Sequence, residues 1–240
     1  MTSARYDGHT DWYESLAAGE AHAAMQRFAV ALLGPGPGRC LDLGCGTGRA
    51  IPLLQRAGWT VTGIDVSVDQ LDAARRQAPG AALVRADGHV LPFRDAEFDA
   101  AVSLFTHTDF DDAAAAFAEA ARVLKPGARF VYVGAHPCFG NPMIARAAAA
   151  DVPDAVAIIR PGYPEPGWRT LPPDPGSSAI RAHVGINHIP LSHFLNDFIG
   201  AGLTIERVEE PGGDDPPIYI AVAATKAQRP TSRPSVSAAT

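Results

Sequence analysis

Three acidic residues stand where an apolar run gives way to a turn. Asp42 lies in LDLGCGTGR, residues 41–49, Asp65 closes TVTGID, residues 60–65, and Asp87 falls in RADGHVLPF, residues 85–93. The first run carries glycines at alternate positions, Gly44, Gly46 and Gly48. A residue without Cβ takes positive φ at little cost and lets a ligand approach the main chain. A helix behind such a turn offers unpaired N–H groups and a positive dipole end. Such a turn therefore suits an anionic or polar ligand, usually a nucleotide-like one. The spacing G-x-G-x-G departs from the dinucleotide pattern G-x-G-x-x-G, and the lysine of a phosphate-binding P-loop is missing. A second set of residues is imidazole: His107, His136, His183 and His188, with His89 and His193 less favourably placed. Imidazole titrates near neutral pH and suits proton removal from a hydroxyl or an acidic carbon. His107, in FTHTDF, is the first candidate base, and Asp109 is an alternative base or the group that orients His107. His136 and His188 flank a long irregular stretch and are the next candidates.

The elements that must position these groups follow from apolar spacing and turn residues. Residues 20–33 predict a helix, ended by GPGPG at 34–38. Strand 39–43 then leads through the glycine turn into a helix predicted over 47–57. Strand 60–64 delivers Asp65, and Ser67 caps a helix running to Gln77. Strands follow at 82–85 and 98–104; a helix begins at Asp111 or Asp112 and ends near Leu124; KPG turns into a strand at 129–134. Alternating strands and helices at short spacing predict a parallel sheet covered on both faces. Residues 136–188 break the pattern with many prolines and glycines, and only 143–150 reads as helical. A stretch this long inside a compact domain is functional or disordered. Ser192 is placed to cap a further helix, followed by strands at 203–208 and 218–224. Residues 226–240 carry no apolar stripe and read as a disordered tail.

The run D-x-G-x-G-x-G, followed in order by Asp65, by RADGHVLPF, by FDAAVS and by RVLKPGARFVYV, resembles the motifs of the class I S-adenosylmethionine (SAM)-dependent methyltransferases. The small-molecule branch is the nearest in pattern, the type 11 and ubiquinone/menaquinone methyltransferases. The resemblance covers roughly residues 39–134. It implies a Rossmann-like α/β fold, a seven-stranded mostly parallel sheet with helices on both faces and the last strand antiparallel. It implies SAM as cofactor and S-adenosylhomocysteine (SAH) as product. Asp42 would bind the ammonium, with the methionine part over Gly44, Cys45, Gly46 and Gly48. Asp65 would accept from the ribose hydroxyls and Asp87 from the adenine amino group. The backbone of Gly88 or His89 would meet the ring, and Val66 and Leu91 would sandwich it. In similar proteins the N-terminal segment forms part of a lid and the region before the late helix supplies the acceptor pocket. Tyr6, Tyr13, Phe105, Phe139, Tyr163 and Trp168 are the pocket candidates. The implied divisions are an N-terminal arm and helix (1–34), a SAM-binding core (35–135), an acceptor insertion (136–188), a C-terminal part completing the sheet (189–225) and the tail (226–240).

Composition sets the outer bounds. The chain has 240 residues, 47% of them hydrophobic and 19% charged, which describes a globular protein with a large core. A net charge of −6 disfavours nucleic acid or an anionic membrane as partner. No run is long enough to span a bilayer and the N-terminus does not read as a signal peptide, so a cytoplasmic protein is expected. The Ala/Pro-rich composition suggests a bacterial source, and a monomer or homodimer is expected. Cys40, Cys45 and Cys138 show no zinc spacing, and no metal is expected. The leading expectation is methyl transfer to an O, N or C atom of a small specialised metabolite. The alternatives are a non-catalytic SAM-binding protein and, further off, an NAD-dependent oxidoreductase, which lacks support from the glycine spacing.

Overall fold

The structure is a computed structural model that describes residues 4–140, 144–147, 156–159, 161–170, 178–213 and 216–228. In chain order its first elements are α1 (Thr10–Ala17), α2 (Glu20–Leu33), β1 (Arg39–Leu43), α3 (Ile51–Arg56), β2 (Thr60–Asp65), α4 (Val68–Gln77) and β3 (Ala82–Arg85). Next come β4 (Phe98–Leu104), α5 (Ala113–Val123), β5 (Leu124–Ala135), β6 (Ile144–Ala147), β7 (Val156–Ile159) and β8 (Gly167–Arg169). The last are α6 (Ser178–Val184), β9 (Ile186–His188), α7 (Leu191–Gly200), β10 (Leu203–Glu209) and β11 (Tyr219–Lys226).

Seven strands form one sheet in the order β10-β11-β5-β4-β1-β2-β3. β11 lies antiparallel between β5 and β10; the pairings β5–β4, β4–β1, β1–β2 and β2–β3 are parallel. The strand order reverses between β1 and β4, so their C-terminal ends open a crevice, the usual ligand position of open α/β sheets. On one face α5 and α7 bury an aromatic cluster of Phe117, Phe130, Tyr132, Phe194 and Phe198, with the Phe117 and Phe198 rings 4.5 Å apart. On the other, Met25, Ala29 and Leu33 of α2 meet Ile51 and Leu54 of α3 against Val102 and Val131. Tyr132 and Gly134 share one face of β5, two residues apart. A Cβ on Gly134 would fall 1.9 Å from the Tyr132 hydroxyl, so the phenol occupies the space that the glycine leaves.

Several boundaries differ from the sequence reading, each for a local reason. α3 starts at Ile51, not at 47, because the glycine turn runs on to Gly48 with positive φ. β5 starts at Leu124, paired with Phe98, and its register shifts before Arg129, where Gly127 takes φ +81°. Ser192 caps nothing: Pro190 stands at the N-cap, and the Leu191 N–H is taken by the Tyr163 hydroxyl at 2.8 Å. Residues 144–147 pair antiparallel with 156–159, whereas 143–150 reads as helix; strand pairing overrides alanine's helix preference, which is only a weak prior. Within the N-terminal arm, residues 10–17 are helical. Lys226 closes β11, its ammonium donating to the carbonyls of Arg122 at 3.1 Å and Leu124 at 2.6 Å, so the tail assigned to 226–240 begins later; residues 229–240 lie outside the described residues.

Candidate functional site

The glycine turn joins β1 to α3, with φ of +72°, +52° and +76° at Gly44, Gly46 and Gly48. A Cβ at Gly44 would stand 2.6 Å from Thr106 Cγ2, and one at Gly48 would stand 2.9 Å from Ala74 Cβ. At Gly46 the nearest atoms are those of Tyr13, at 3.6 Å, so only the backbone conformation demands glycine there. β2 pins the turn: the Cys45 N–H donates to the Ile64 carbonyl at 2.8 Å, and the Gly46 N–H donates to Asp65 Oδ2 at 2.9 Å. The Ser67 N–H donates to Asp65 Oδ1 at 2.9 Å. Gly44→Ala combines a disfavoured φ with a clash, each of order 1–3 kcal/mol, and is expected to lower the melting temperature by several degrees. A scan that matches the parent would contradict this account of the turn.

One acidic group and one amide face this turn with unpaired atoms among the described residues, and the Asp65 carboxylate stands beside them. Asp42 is 1% exposed, and its Oδ2 has no partner among the described residues. Burial, and then the charge of Asp65, push Asp42 up to about 7. Burial also raises Asp65, to about 6, against the N–H groups of Ser67, Gly46 and Val66, which hold it down. Gln70 is 2% exposed, and neither atom of its amide is paired among the described residues. Its Oε1 would lie 3.7 Å from a Cβ at Gly46.

Gln70 is the residue that sequence reasoning missed, although a signal was present. Ser67-x-x-Gln70 has capping-box spacing, in which glutamine reaches back to the cap N–H. Half the box forms, since the Gln70 N–H donates to Ser67 Oγ at 3.2 Å. The Ser67 N–H, however, is already held by Asp65, so the Gln70 side chain is released toward the turn.

Asp87, at the next strand end, is bound up with His89. Its Oδ1 accepts from the His89 backbone N–H at 3.1 Å and from ring Nδ1 at 2.6 Å, and His89 Nε2 accepts from the Asp112 N–H at 3.1 Å. Gly88 backs onto Phe110, whose ring would lie 3.0 Å from a Cβ there. Val66 is half-buried, and Leu91 is buried against the α5 side of the core.

Around the crevice the remaining candidates divide. Tyr6 and Tyr13 meet edge to face with ring centroids 5.5 Å apart, and the Tyr6 hydroxyl donates to Asp109 Oδ1 at 3.0 Å. Asp109 is also paired with Arg181 through both oxygens, so the expected orienting bond from Asp109 to His107 is not made. The carboxylate is consumed by an arginine 72 residues away, a partner no local pattern announces. His107 instead pairs through Nδ1 with the Tyr132 hydroxyl and packs against Phe194; burial, then Arg181, His188 and His136, lower it to about 3. His136 packs on Phe139 at 4.9 Å. Tyr163 meets Cys138 Sγ at 3.2 Å, and its carbonyl accepts from His188 Nε2 at 2.8 Å.

Four other candidates turn elsewhere. Phe105, with φ +59°, packs on His22 and Tyr219, on the α2 side of the sheet. Trp168 is 38% exposed and lies under the Arg5 guanidinium at 3.8 Å. His183 and His193 are exposed, and His183 stacks on His9.

Residues 41–132 match the family model described as a methyltransferase domain. A demethylmenaquinone methyltransferase of Corynebacterium kroppenstedtii is 46% identical over 99 residues, 40% of this chain and 42% of that protein. A 2-phytyl-1,4-naphtoquinone methyltransferase of Nostoc is 36% identical over 141 residues, 55% of this chain and 60% of that protein. The chain thus spans about half the length of the curated relatives it matches. Along the whole fold, a solved S-adenosylmethionine-dependent methyltransferase from Mesorhizobium loti aligns with a TM-score of 0.69 and 26% identity, over 88% of this chain and 99% of that one. The open sheet with its antiparallel β11 is that of this neighbour's fold, and residues 41–132 are similar to a methyltransferase domain.

Proposed function

We propose that the chain transfers a methyl group from SAM to an O, N or C atom of a small organic molecule, a specialised metabolite. The observation that carries the reading is the pair of unsatisfied groups beside the glycine turn, Asp42 Oδ2 and the Gln70 amide. A buried carboxylate oxygen with no partner is costly unless a ligand brings a donor. SAM brings an ammonium, a ribose diol and a sulfonium. The local charges also suit a cation, since Asp42, Asp65 and Asp109 stand against Arg181. Bound SAM supplies a methyl carbon already joined to a good leaving group, so no nucleophile on the protein is needed.

In this reading Asp42 holds the ammonium. Asp65 uses the lone pairs left after its Gly46 and Ser67 bonds for the ribose hydroxyls, and Asp87 and the Gly88 backbone take the adenine, the His89 N–H being held by Asp87. Gly44, Cys45 and Gly46 form the floor under the methionine part, and Val66 flanks the base. Tyr6, Tyr13, Phe139 and Tyr163 wall the acceptor side, where holding the two reactants close and aligned supplies much of the rate. The acceptor reading is supported by the relatives' names, which include methyltransferases of menaquinone and naphthoquinone type. Among the described residues no helix is long and apolar enough to cross a membrane. We take the protein to act in the cytoplasm, as a monomer or homodimer, without nucleic acid or a membrane as partner.

The test is calorimetry with SAH, followed by a mass-spectrometric turnover screen with SAM and a panel of phenols, quinols, indoles, amines and carboxylic acids. Saturable SAH binding with a methylated product is the expected result. Binding without any product across a broad panel would favour a non-catalytic binding protein, and absence of SAH binding would overturn the cofactor assignment.

A further inference from the structure

Three buried imidazoles, His107, His136 and His188, lie within electrostatic reach of one another, and their hydrogen bonds determine which nitrogen of each carries the proton. The Tyr132 side chain is fully buried, and its hydroxyl meets His107 Nδ1. No other acceptor for that hydroxyl is found among the described residues. A buried O–H that donates to nothing costs roughly 1–3 kcal/mol, so Tyr132 is the donor and His107 Nδ1 the acceptor. The neutral His107 ring therefore carries its hydrogen on Nε2. At His136 the Cys138 N–H donates to Nδ1 at 3.0 Å, which leaves Nε2–H to donate to Glu210 at 2.9 Å; both nitrogens are used. His188 differs. Its Nε2 lies 2.8 Å from the Tyr163 carbonyl, a group that only accepts, so the hydrogen is on Nε2 and Nδ1 keeps a lone pair. Among the described residues nothing donates to that Nδ1.

All three rings are buried, and burial lowers each below the ordinary imidazole range, so each is neutral at pH 7 and tautomer decides what it presents. His188 is also held in place. It ends β9, and the preceding Asn187 donates its backbone N–H to the Thr108 carbonyl at 2.8 Å and its side-chain amide to the Phe110 carbonyl at 2.8 Å. Those carbonyls belong to the loop after β4 that carries His107. The two rings are close enough for His188 to oppose a charge on His107.

We propose a division of labour that rests on the methyltransferase reading: His188 Nδ1 receives the proton of the acceptor, and His107 Nε2–H donates a hydrogen bond to it. The acceptor class that fits is a neutral molecule with an O–H or N–H nucleophile and a lone-pair atom beside it. The acceptor's O–H or N–H bond breaks, its proton bonds to Nδ1, and its electron pair forms the new bond to the methyl carbon. The electron pair of the broken C–S bond stays on sulfur, and the imidazolium then returns the proton to water. His107, with a hydrogen already on Nε2 and a tyrosine on Nδ1, is a donor and not a base.

The test is long-range 1H–15N correlation on the 15N-histidine-labelled full chain with SAH at pH 7.5, with His107→Gln and His188→Asn used to assign the signals. Both rings are expected as Nε2–H tautomers, with a free lone-pair signal on His188 Nδ1 and a hydrogen-bonded one on His107 Nδ1 that is lost in Tyr132→Phe. A hydrogen on His188 Nδ1, or a His107 ring protonated on Nδ1, overturns the assignment. With 1,4-dihydroxynaphthalene as acceptor probe, His188→Asn is expected to lower kcat/KM by more than a hundredfold. His107→Gln, whose amide N–H replaces the ring N–H, is expected to lose less than tenfold. The reverse order overturns the proposal. If the probe is not methylated, the tautomer spectrum alone decides. SAH affinity is expected to stay within twofold in both variants. Loss of SAH binding by the parent protein would instead sink the methyltransferase reading, and the tautomers would still be read independently.

Discussion

Asp42→Asn is expected to weaken SAH binding by roughly ten- to a hundredfold while making the ligand-free protein more stable at pH 8. The first effect is the loss of a charged acceptor for the ammonium, worth about 1.5–3 kcal/mol. The second follows from proton linkage. Asp42 is pushed up to about 7 in the folded protein, by burial first and by Asp65 second, from an ordinary value of 3.8. Between those two pH values the folded state holds a proton that the unfolded chain has released. The group's favourable contribution is therefore complete below about 4 and is lost as pH rises through 7. Its slope is at most about 1.4 kcal/mol per pH unit. Asparagine keeps the shape, removes the titration and flattens that part of the profile. SAH affinity of the parent should run the opposite way, rising from pH 6 to 8 as the carboxylate becomes charged. Denaturant titrations and calorimetry over pH 5–8 read both quantities. A variant that binds SAH as the parent does, or a parent whose SAH affinity ignores pH in this window, would remove Asp42 from the ligand site.

Arg181→Met is expected to unclip the segment before α7 from the loop after β4. The guanidinium pairs with both oxygens of Asp109 and donates to Thr108 Oγ1 at 3.2 Å and to the Gly185 carbonyl at 3.3 Å. Asp109 in turn holds Tyr6, so one ion pair ties together the N-terminal segment, the loop after β4 and the region around α6. The side chains are 16% and 25% exposed, which discounts the cost of breaking a buried pair to about 2–3 kcal/mol. A fall in melting temperature of about 4–10 °C is expected, with loss of hydrogen-exchange protection in residues 5–9 and 185–188 and little change in β1 and β4. Adding Asp109→Asn should recover part of the loss, because the uncompensated carboxylate is then gone. Unchanged protection in both segments would show that the pair does not hold them.

The contrast between the two variants marks how far the sequence is legible. Asp42 and Asp65 can be read from it because strand, turn and carboxylate follow one another within about two dozen residues. β1, β3 and β4 match their apolar runs residue for residue, since turn residues bound each run on both sides. The seven-stranded sheet with its antiparallel last strand is what the resemblance to the class I methyltransferases implies, and the structure has it. What cannot be read is whatever depends on a distant partner. Asp109 meets Arg181 across 72 positions, so its consumption in an ion pair leaves no trace in FTHTDF. The protonation of His107 and His188 depends on Tyr132 and Tyr163, each 25 positions away. Gln70 is intermediate: its spacing from Ser67 is visible, but the competing claim of Asp65 on the cap N–H exists only in three dimensions. Residues 144–147 show the converse, a local helix preference overridden by strand pairing with 156–159.

The Tyr132 phenol filling the space above Gly134 couples two positions that never bond to each other. A side chain at 134 would evict the hydroxyl that sets the His107 tautomer, and only a residue at 132 shorter than phenylalanine would make room for it, since the ring Cζ stands 2.7 Å from a Cβ at 134. Substitution at one site therefore changes which residues the other tolerates. In a library randomised at both positions, active members should keep Tyr132 and Gly134 together or abandon them together, so that fitness at this edge of the sheet belongs to the pair.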